Sequence, residues 1–419
     1  MMINILTQSL WRDEAFSALL SLKGLGQIIS VAASDYSPPL YYVFLHFWIK
    51  LFGFGEVALR IPSLLFSVLT AGSAYFLTKK LFSKKVALLT FFFVLLNPFL
   101  FHYAFEARMY TLFSFFAVLS FYFLIFENWP LFVLFSLLGL YSHNFMIFSL
   151  LGELIAYLFL KGFGKKKHLL VSFGGILLGF SPWVGTLFSQ AREVARGFWI
   201  ERPGIRAVSE ALVQFLFGPS GGNSRYLIFM VLISGLVIFL WRLSASRRDK
   251  AERKKIASLI IWASLSFFSS FLLSYFIPVF LPRYLIFIII PLSLVLAFIL
   301  MGLPFRIPII FCFLVLFLVR DFGIWGDPSK FPIREKVFTI SKSWEGEPVV
   351  CESILNFFEV KYYLMRSKPA AAERIYLLSS GRVEYAGGSL VERGEICENL
   401  PEERYFWVSR SGDTYLLKN

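Results

Sequence analysis

The chain has 419 residues, of which 57% are hydrophobic, 51 are phenylalanine and only 16% are charged, a composition outside the range of water-soluble domains. Its formal charge of +14 sits in short clusters of lysine and arginine between apolar runs, not along one face. That arrangement excludes a nucleic-acid partner as its explanation and predicts a protein that threads a membrane several times.

In chain order, the first landmark is "TQSLWRDEAFSALL", Thr7 to Leu20, where the adjacent carboxylates Asp13 and Glu14 precede an apolar run. The stretch "PPLYYVFLHFWIKLFG", Pro38 to Gly53, is apolar but opens with two prolines and carries His46 and Lys50, so it reads as an interfacial helix. Trp11, Trp48, Tyr41 and Tyr42 read as belt aromatics at the membrane surface. A crossing needs ~20 apolar residues. Ten runs are read as crossings: 57–78, 86–104, 109–126, 130–142, 144–160, 169–188, 224–241, 256–277, 284–302 and 307–324, with 130–142 short enough to be tilted or half-buried.

Three basic clusters set the orientation: Lys79 to Lys85, Lys161 to Lys167, and "RLSASRRDKAERKK" from Arg242 to Lys255. All fall on one side of this map, which the positive-inside tendency makes cytoplasmic. Residues 1–56, the turns at 105–108, 143 and 278–283, the loop 189–223 and the tail from 325 then lie outside. An even number of crossings with the tail outside also requires the N-terminus to start outside. Residues 1–10 hold nothing able to carry it there, so a further transmembrane helix is expected upstream of Met1.

The tail changes character. "EPVVCES", "RIYLLSS", "RYFWVSRSG" and "DTYLL" read as strands and "ILNFFEVKYYLM" as an amphipathic helix, predicting a small extracytoplasmic α/β domain over 325–419 beside a membrane domain over 1–324. No nucleotide-binding glycine fingerprint or Walker pattern occurs. Cys312 lies in an apolar run, and of the three cysteines only Cys351 and Cys397 are candidates for a disulfide; none has the spacing of a metal site.

Several charges border apolar runs at one membrane level on the outer side: Asp13, Glu14, Asp35, Glu56, Arg60, Glu106, Arg108 and Arg283. Each alone has a plainer reading. An arginine at a helix end snorkels to headgroups, an Asp-Glu pair suits a helix N-terminus, and His143 in "YSHNF" suits a polar helix end. Their coincidence on one face points to a shared site instead. Arginines hold a phosphate by charge-assisted hydrogen bonds while a carboxylate takes the proton of an attacking hydroxyl, which is the chemistry of a lipid-linked sugar phosphate.

"SLWRDEAFS", "SPPLYYVFLHFWIKLFGFGEVALRIPSLLFS", "FEARMYTLF" and "LPRYLIFIIIP" together resemble the membrane-embedded GT-C glycosyltransferases of the protein O-mannosyltransferase and aminoarabinose-transferase superfamily, in the family's order from residue 9 to about 291. The resemblance implies an all-α polytopic membrane bundle of GT-C type, a polyprenyl- or dolichyl-phosphate sugar donor and inversion at the anomeric carbon. It implies Asp13 as catalytic base with Glu14 beside it, Glu106 as a second acid, and Arg108 as a donor-phosphate contact with Arg60 and Arg283 as further arginines of that kind. A divalent metal, if the reaction uses one, falls to Asp13, Glu14 and Glu106; no cofactor is otherwise required. Ser37 stands where many relatives have histidine before the two prolines, which removes that ligand here.

The expected activity is transfer of a sugar to a glycan, lipid or protein hydroxyl at the outer face of a cell membrane. A glycan ligase or polymerase shares outer arginines but has no need of the Asp-Glu pair. A lipid or sugar transporter or flippase predicts charges at the bilayer midplane and paired repeats with broken helices, whereas these charges border the runs.

Overall fold

The structure, a computed structural model, describes residues 4–197, 199–219, 249–326, 333–379 and 387–417. The predicted crossing at 224–241 and the start of the basic cluster, Arg242 to Arg248, lie outside the described residues. The chain divides into two compact units, one formed by residues 1–62 with 326–419 and the other by 63–325.

The second unit is helical. Helices occupy the predicted spans that fall within the described residues, but by length and apolarity five of them reach the membrane-crossing standard: Glu56–Leu81, Lys166–Arg196, Lys250–Leu273, Pro282–Met301 and Arg306–Gly326. A sixth crossing results if Lys84–Leu95 and Pro98–Ala104, bent by 57°, act as one. Tyr110–Ile125 and Trp129–Ser142 are apolar but short, since 16 residues rise only ~24 Å against ~30 Å of hydrocarbon. The expected count of about ten crossings therefore reduces to five or six among the described residues.

Packing in this unit follows from small residues where helices touch. Gly152 of Met146–Lys161 lies so near Lys250–Leu273 that an added Cβ would sit 2.6 Å from the Trp262 carbonyl oxygen. Next to it the buried Glu153 carboxylate accepts from Ser120 at 2.6 Å and from Ser149 at 2.8 Å. Trp262 Nε1 donates to Ser149 Oγ at 3.1 Å, so this polar node ties helices together inside an apolar bundle.

The first unit holds the N-terminal segment and the tail. Leu40–Phe52 is amphipathic as expected, with Lys50, Phe47, Leu51 and Phe52 on its exposed side. It stops at Gly53, whose φ of 78° is the left-handed conformation glycine adopts without strain. Tyr41 and Tyr42 are not belt aromatics: they are fully buried, Tyr42 meeting Phe16 edge-on at 5.9 Å. Trp48 Nε1 donates to the Ala58 carbonyl at 2.8 Å.

The tail forms a five-stranded sheet in the order β3-β2-β1-β4-β5, with β1 Val349–Cys351, β2 Ile375–Leu378, β3 Ile396–Cys397, β4 Tyr405–Val408 and β5 Thr414–Leu417. β1 is central and wholly buried, paired in parallel with both neighbours (Val349 to Ile375 and Val349 to Phe406). The helix Ile354–Ser367 makes the crossover from β1 to β2. β5 is the antiparallel edge, joined to β4 through a turn closed by Gly412 at φ 77°. Four of these strands and the helix match the sequence reading. The two-residue β3 and the helix Ile333–Ser343 are additions. β2 separates the strands that bear Cys351 and Cys397, a spacing of ~10 Å that no disulfide bridges, and all three cysteines are free.

Candidate active site

In the first unit the motif helix Arg12–Ser21 starts immediately after Trp11, whose carbonyl accepts the N–H groups of Glu14 at 2.9 Å and Ala15 at 3.0 Å. Asp13 and Glu14 therefore occupy its first turn, where the helix dipole favours carboxylates. Arg12 grips Asp13 Oδ1 from Nε at 3.0 Å and Nη2 at 2.8 Å. Ser17 and Ser21 Oγ donate back to carbonyls four residues earlier, and His46 Nδ1 donates to the Ser21 carbonyl at 2.9 Å, fixing the far end of the helix.

Glu14 and Arg60 form a fully buried, bidentate pair, Nε to Oε1 at 2.8 Å and Nη2 to Oε2 at 2.7 Å. The rest of the guanidinium donates to the carbonyls of Ile5, Leu6, Gln8 and Ser9 at 2.8–3.2 Å. Arg60 thus holds Glu14 and the loop before the motif helix, in place of the phosphate contact the sequence suggested. Glu14 in turn supplies the counter-charge to Arg60. The physical reason is desolvation: a guanidinium with no exposure must satisfy its donors internally.

Residues of the tail missed by sequence reading complete this cluster. From the helix Ile354–Ser367, Tyr363 Oη accepts the Leu10 N–H at 2.8 Å, Arg366 donates to Glu56, and Phe358 meets Phe16 edge-on at 5.6 Å. Arg334 donates to the Thr7 carbonyl at 2.7 Å and to Glu56 at 3.2 Å. Asp35, grouped with the outer acids by sequence, accepts the Gly387 N–H at 3.1 Å. Buried Glu359 is pushed up to about 8, first by burial and then by the charges of Asp13 and Glu14, with Arg12 opposing.

In the second unit a break in the chain builds the other group. Asn97 caps Pro98–Ala104 by accepting from Phe99 and Leu100 N–H at 3.0 and 3.1 Å, and Pro98 sits where a missing N–H costs nothing. The short helix delivers the tight turn "FEARM", in which Arg108 N–H donates to the Glu106 carbonyl at 2.7 Å and Ser63 Oγ donates to the Arg108 carbonyl at 3.2 Å. Glu106 Oε1 lies 3.3 Å from His102 Nε2.

Arg283 stands in the first turn of the 3₁₀ segment Pro282–Ile288. The Arg108 and Arg283 guanidinium carbons lie 5.9 and 6.0 Å from the centroid of a single ring, Tyr110, and Arg283 also faces Tyr284 at 5.6 Å and Trp199 at 5.8 Å. His143 packs behind them, 5.0 Å from Tyr284 and stacked on Phe113 at 5.0 Å. Its Nδ1 accepts the Phe145 N–H, and its pKa falls to about 3, first through burial and then through the cations Arg108 and Arg283. His143 is therefore a neutral wall residue. Sequence reading had found both arginines but not the aromatic wall of Tyr110, Tyr284 and Trp199 between them.

A family model described as dolichyl-phosphate-mannose-protein mannosyltransferase matches residues 36–185. The fold is similar to that of the ArnT crystal structure from Cupriavidus metallidurans in the apo state, with a TM-score of 0.71 at 13% identity over 97% of this chain and 90% of that one. The same protein bound to undecaprenyl phosphate gives 0.69 over the same shares. The chain has the fold of these ArnT structures, and residues 36–185 carry the sequence pattern of the mannosyltransferase family model. A more distant likeness is to the archaeal oligosaccharyltransferase AglB from Archaeoglobus fulgidus, in complex with an inhibitory peptide and a dolichol-phosphate, with a TM-score of 0.51 at 12% identity over 99% of this chain and 71% of that one. No curated protein matches by sequence.

The chain is a multi-pass membrane protein, and its motif residues fall into the two groups just described: Asp13, Glu14 and Arg60 in the first unit, Glu106, Arg108 and Arg283 in the second. Among the described residues no three or more His, Cys, Asp or Glu side chains are placed to hold a metal ion.

Proposed function

We propose that the protein is an inverting glycosyltransferase that moves a sugar from a polyprenyl-phosphate donor to an acceptor hydroxyl at the extracytoplasmic face of the membrane. The observation that supports this reading is the convergence of two guanidinium groups on one tyrosine ring, an arrangement suited to an anion. A neighbour of the same fold crystallised with undecaprenyl phosphate supports a lipid phosphate as that anion.

The chemistry follows from these groups. The acceptor oxygen attacks the anomeric carbon as its proton passes to the Asp13 carboxylate. The bond from that carbon to the phosphate oxygen breaks, and its electron pair leaves on the phosphate. Phosphate is a weak base and requires cations more than a proton, a task for Arg108 and Arg283. Glu106 orients the acceptor hydroxyl. A single displacement inverts the anomeric centre. Arg12, donating twice to Asp13 Oδ1, holds the carboxylate in place.

The test is an assay of membranes containing the protein with a panel of radiolabelled polyprenyl-phosphate sugars, following release of polyprenyl phosphate and the anomeric configuration of the product. Transfer with inversion from at least one donor is expected. Absence of turnover across the panel, or a product of retained configuration, overturns the reading.

A further inference from the structure

The tail helix Ile354–Ser367 turns one stripe toward the N-terminal segment: Glu359, Tyr363 and Arg366, at i, i+4 and i+7. Each meets a different point of that segment. Glu359 lies in the electrostatic field of Arg12, Asp13 and Glu14, Arg366 binds Glu56, and Tyr363 Oη accepts the N–H of Leu10, a residue with no solvent exposure. Leu10 directly precedes Trp11, whose carbonyl starts the motif helix, so its backbone sets where the first turn points. Upstream of Leu10 the loop is held at its carbonyls, by Arg60 at Ile5, Leu6, Gln8 and Ser9 and by Arg334 at Thr7, and at the Ser9 hydroxyl, which accepts the Arg334 N–H at 3.3 Å. The Tyr363 contact is therefore a grip of another kind, on an N–H at the hinge between that loop and the helix.

We propose that Tyr363 is a positioning residue for the base: by fixing the Leu10 N–H it fixes the aim of Asp13, and the tail is thereby a working part of the transferase. This inference rests on Asp13 being the base. Tyr363→Phe keeps the ring, and with it the packing of the tail helix, while removing the acceptor. Because misplacement of a reacting group by ~1 Å costs roughly a hundredfold, kcat is expected to fall about tenfold to a hundredfold. The donor KM stays close to wild type, because the arginines have not changed, while the melting temperature falls modestly, since the buried Leu10 N–H loses its acceptor. In an Asp13→Asn background the same substitution adds no further loss, since both act through one carboxylate.

A readout independent of catalysis is hydrogen–deuterium exchange. Tyr363→Phe accelerates exchange of residues 5–14 and leaves β1 and β4 unchanged. Wild-type kcat in Tyr363→Phe, a loss shared equally by kcat and donor KM, or additivity with Asp13→Asn overturns the proposal. If the wild-type protein transfers no sugar from any donor, the reading of Asp13 as base has failed instead. The exchange experiment then decides alone whether Tyr363 orders the segment: unchanged protection of residues 5–14 refutes it.

Discussion

Replacing Arg60 by methionine tests the claim that this arginine is internal structure. The substitution keeps an unbranched chain of similar length but removes two bonds to Glu14 and four to backbone carbonyls in a place with no solvent exposure. Breaking a buried ion pair from one side costs ~3–5 kcal/mol, because the partner charge is left uncompensated. Against a folding free energy of ~5–15 kcal/mol this is about a fifth of the total or more. The double variant Arg60→Met with Glu14→Gln removes both charges and is expected to recover part of the loss. Arg60→Lys keeps the charge but cannot reproduce the planar fork, and falls between wild type and Arg60→Met. The assay is fluorescence-detected unfolding of the purified protein in one detergent, with all variants at equal concentration. A wild-type midpoint for Arg60→Met, or a double variant no more stable than the single one, refutes the reasoning and returns Arg60 to the pool of phosphate ligands.

Asp13→Asn should lower single-turnover transfer by ~10²- to 10⁴-fold while leaving donor binding close to wild type, since an amide fills the same space but accepts no proton; wild-type rates would end its role as base. Arg108→Ala and Arg283→Ala should each weaken binding of undecaprenyl phosphate about tenfold to a hundredfold, the equivalent of one charge-assisted hydrogen bond, measured by equilibrium binding in nanodiscs; unchanged affinity in both removes the phosphate site. Glu359 predicts a pH dependence of stability. Its carboxyl is raised in the fold from an ordinary 4.5 to about 8, so the stability it contributes is complete below 4.5 and disappears as pH rises through 8. The melting temperature should decline between pH 5 and 8.5 in the wild type and less so in Glu359→Gln, and identical slopes in the two would show that Glu359 ionises freely.

What was legible in the sequence follows from which forces act locally. Apolar runs located the helices because lipid or core burial of ~20 residues leaves a contiguous signature. The strands of the tail showed through β-branched and aromatic alternation, whereas β3, with two residues, carries no pattern. The membrane count was harder to read, because Tyr110–Ile125 and Trp129–Ser142 are as apolar as crossings without their length.

The charged residues divide along the same line. A greasy chain exposes where its charges are, since each interrupts or borders a run, and Asp13, Glu106, Arg108 and Arg283 stand out on that ground together with Glu14, Asp35, Glu56 and Arg60. Which charges pair is a different matter. An arginine at a helix end carries the same local sequence whether it snorkels, binds a phosphate or is consumed by a carboxylate 46 residues away, as Arg60 is by Glu14. Only desolvation separates these cases, and desolvation belongs to the assembled fold. The same holds for Tyr363, 353 residues from the N–H it accepts, in a tail whose composition reads as an independent domain. Partners at such separations leave no periodic trace in either segment; they are set by where the buried N–H and C=O groups around the motif helix find the groups that satisfy them.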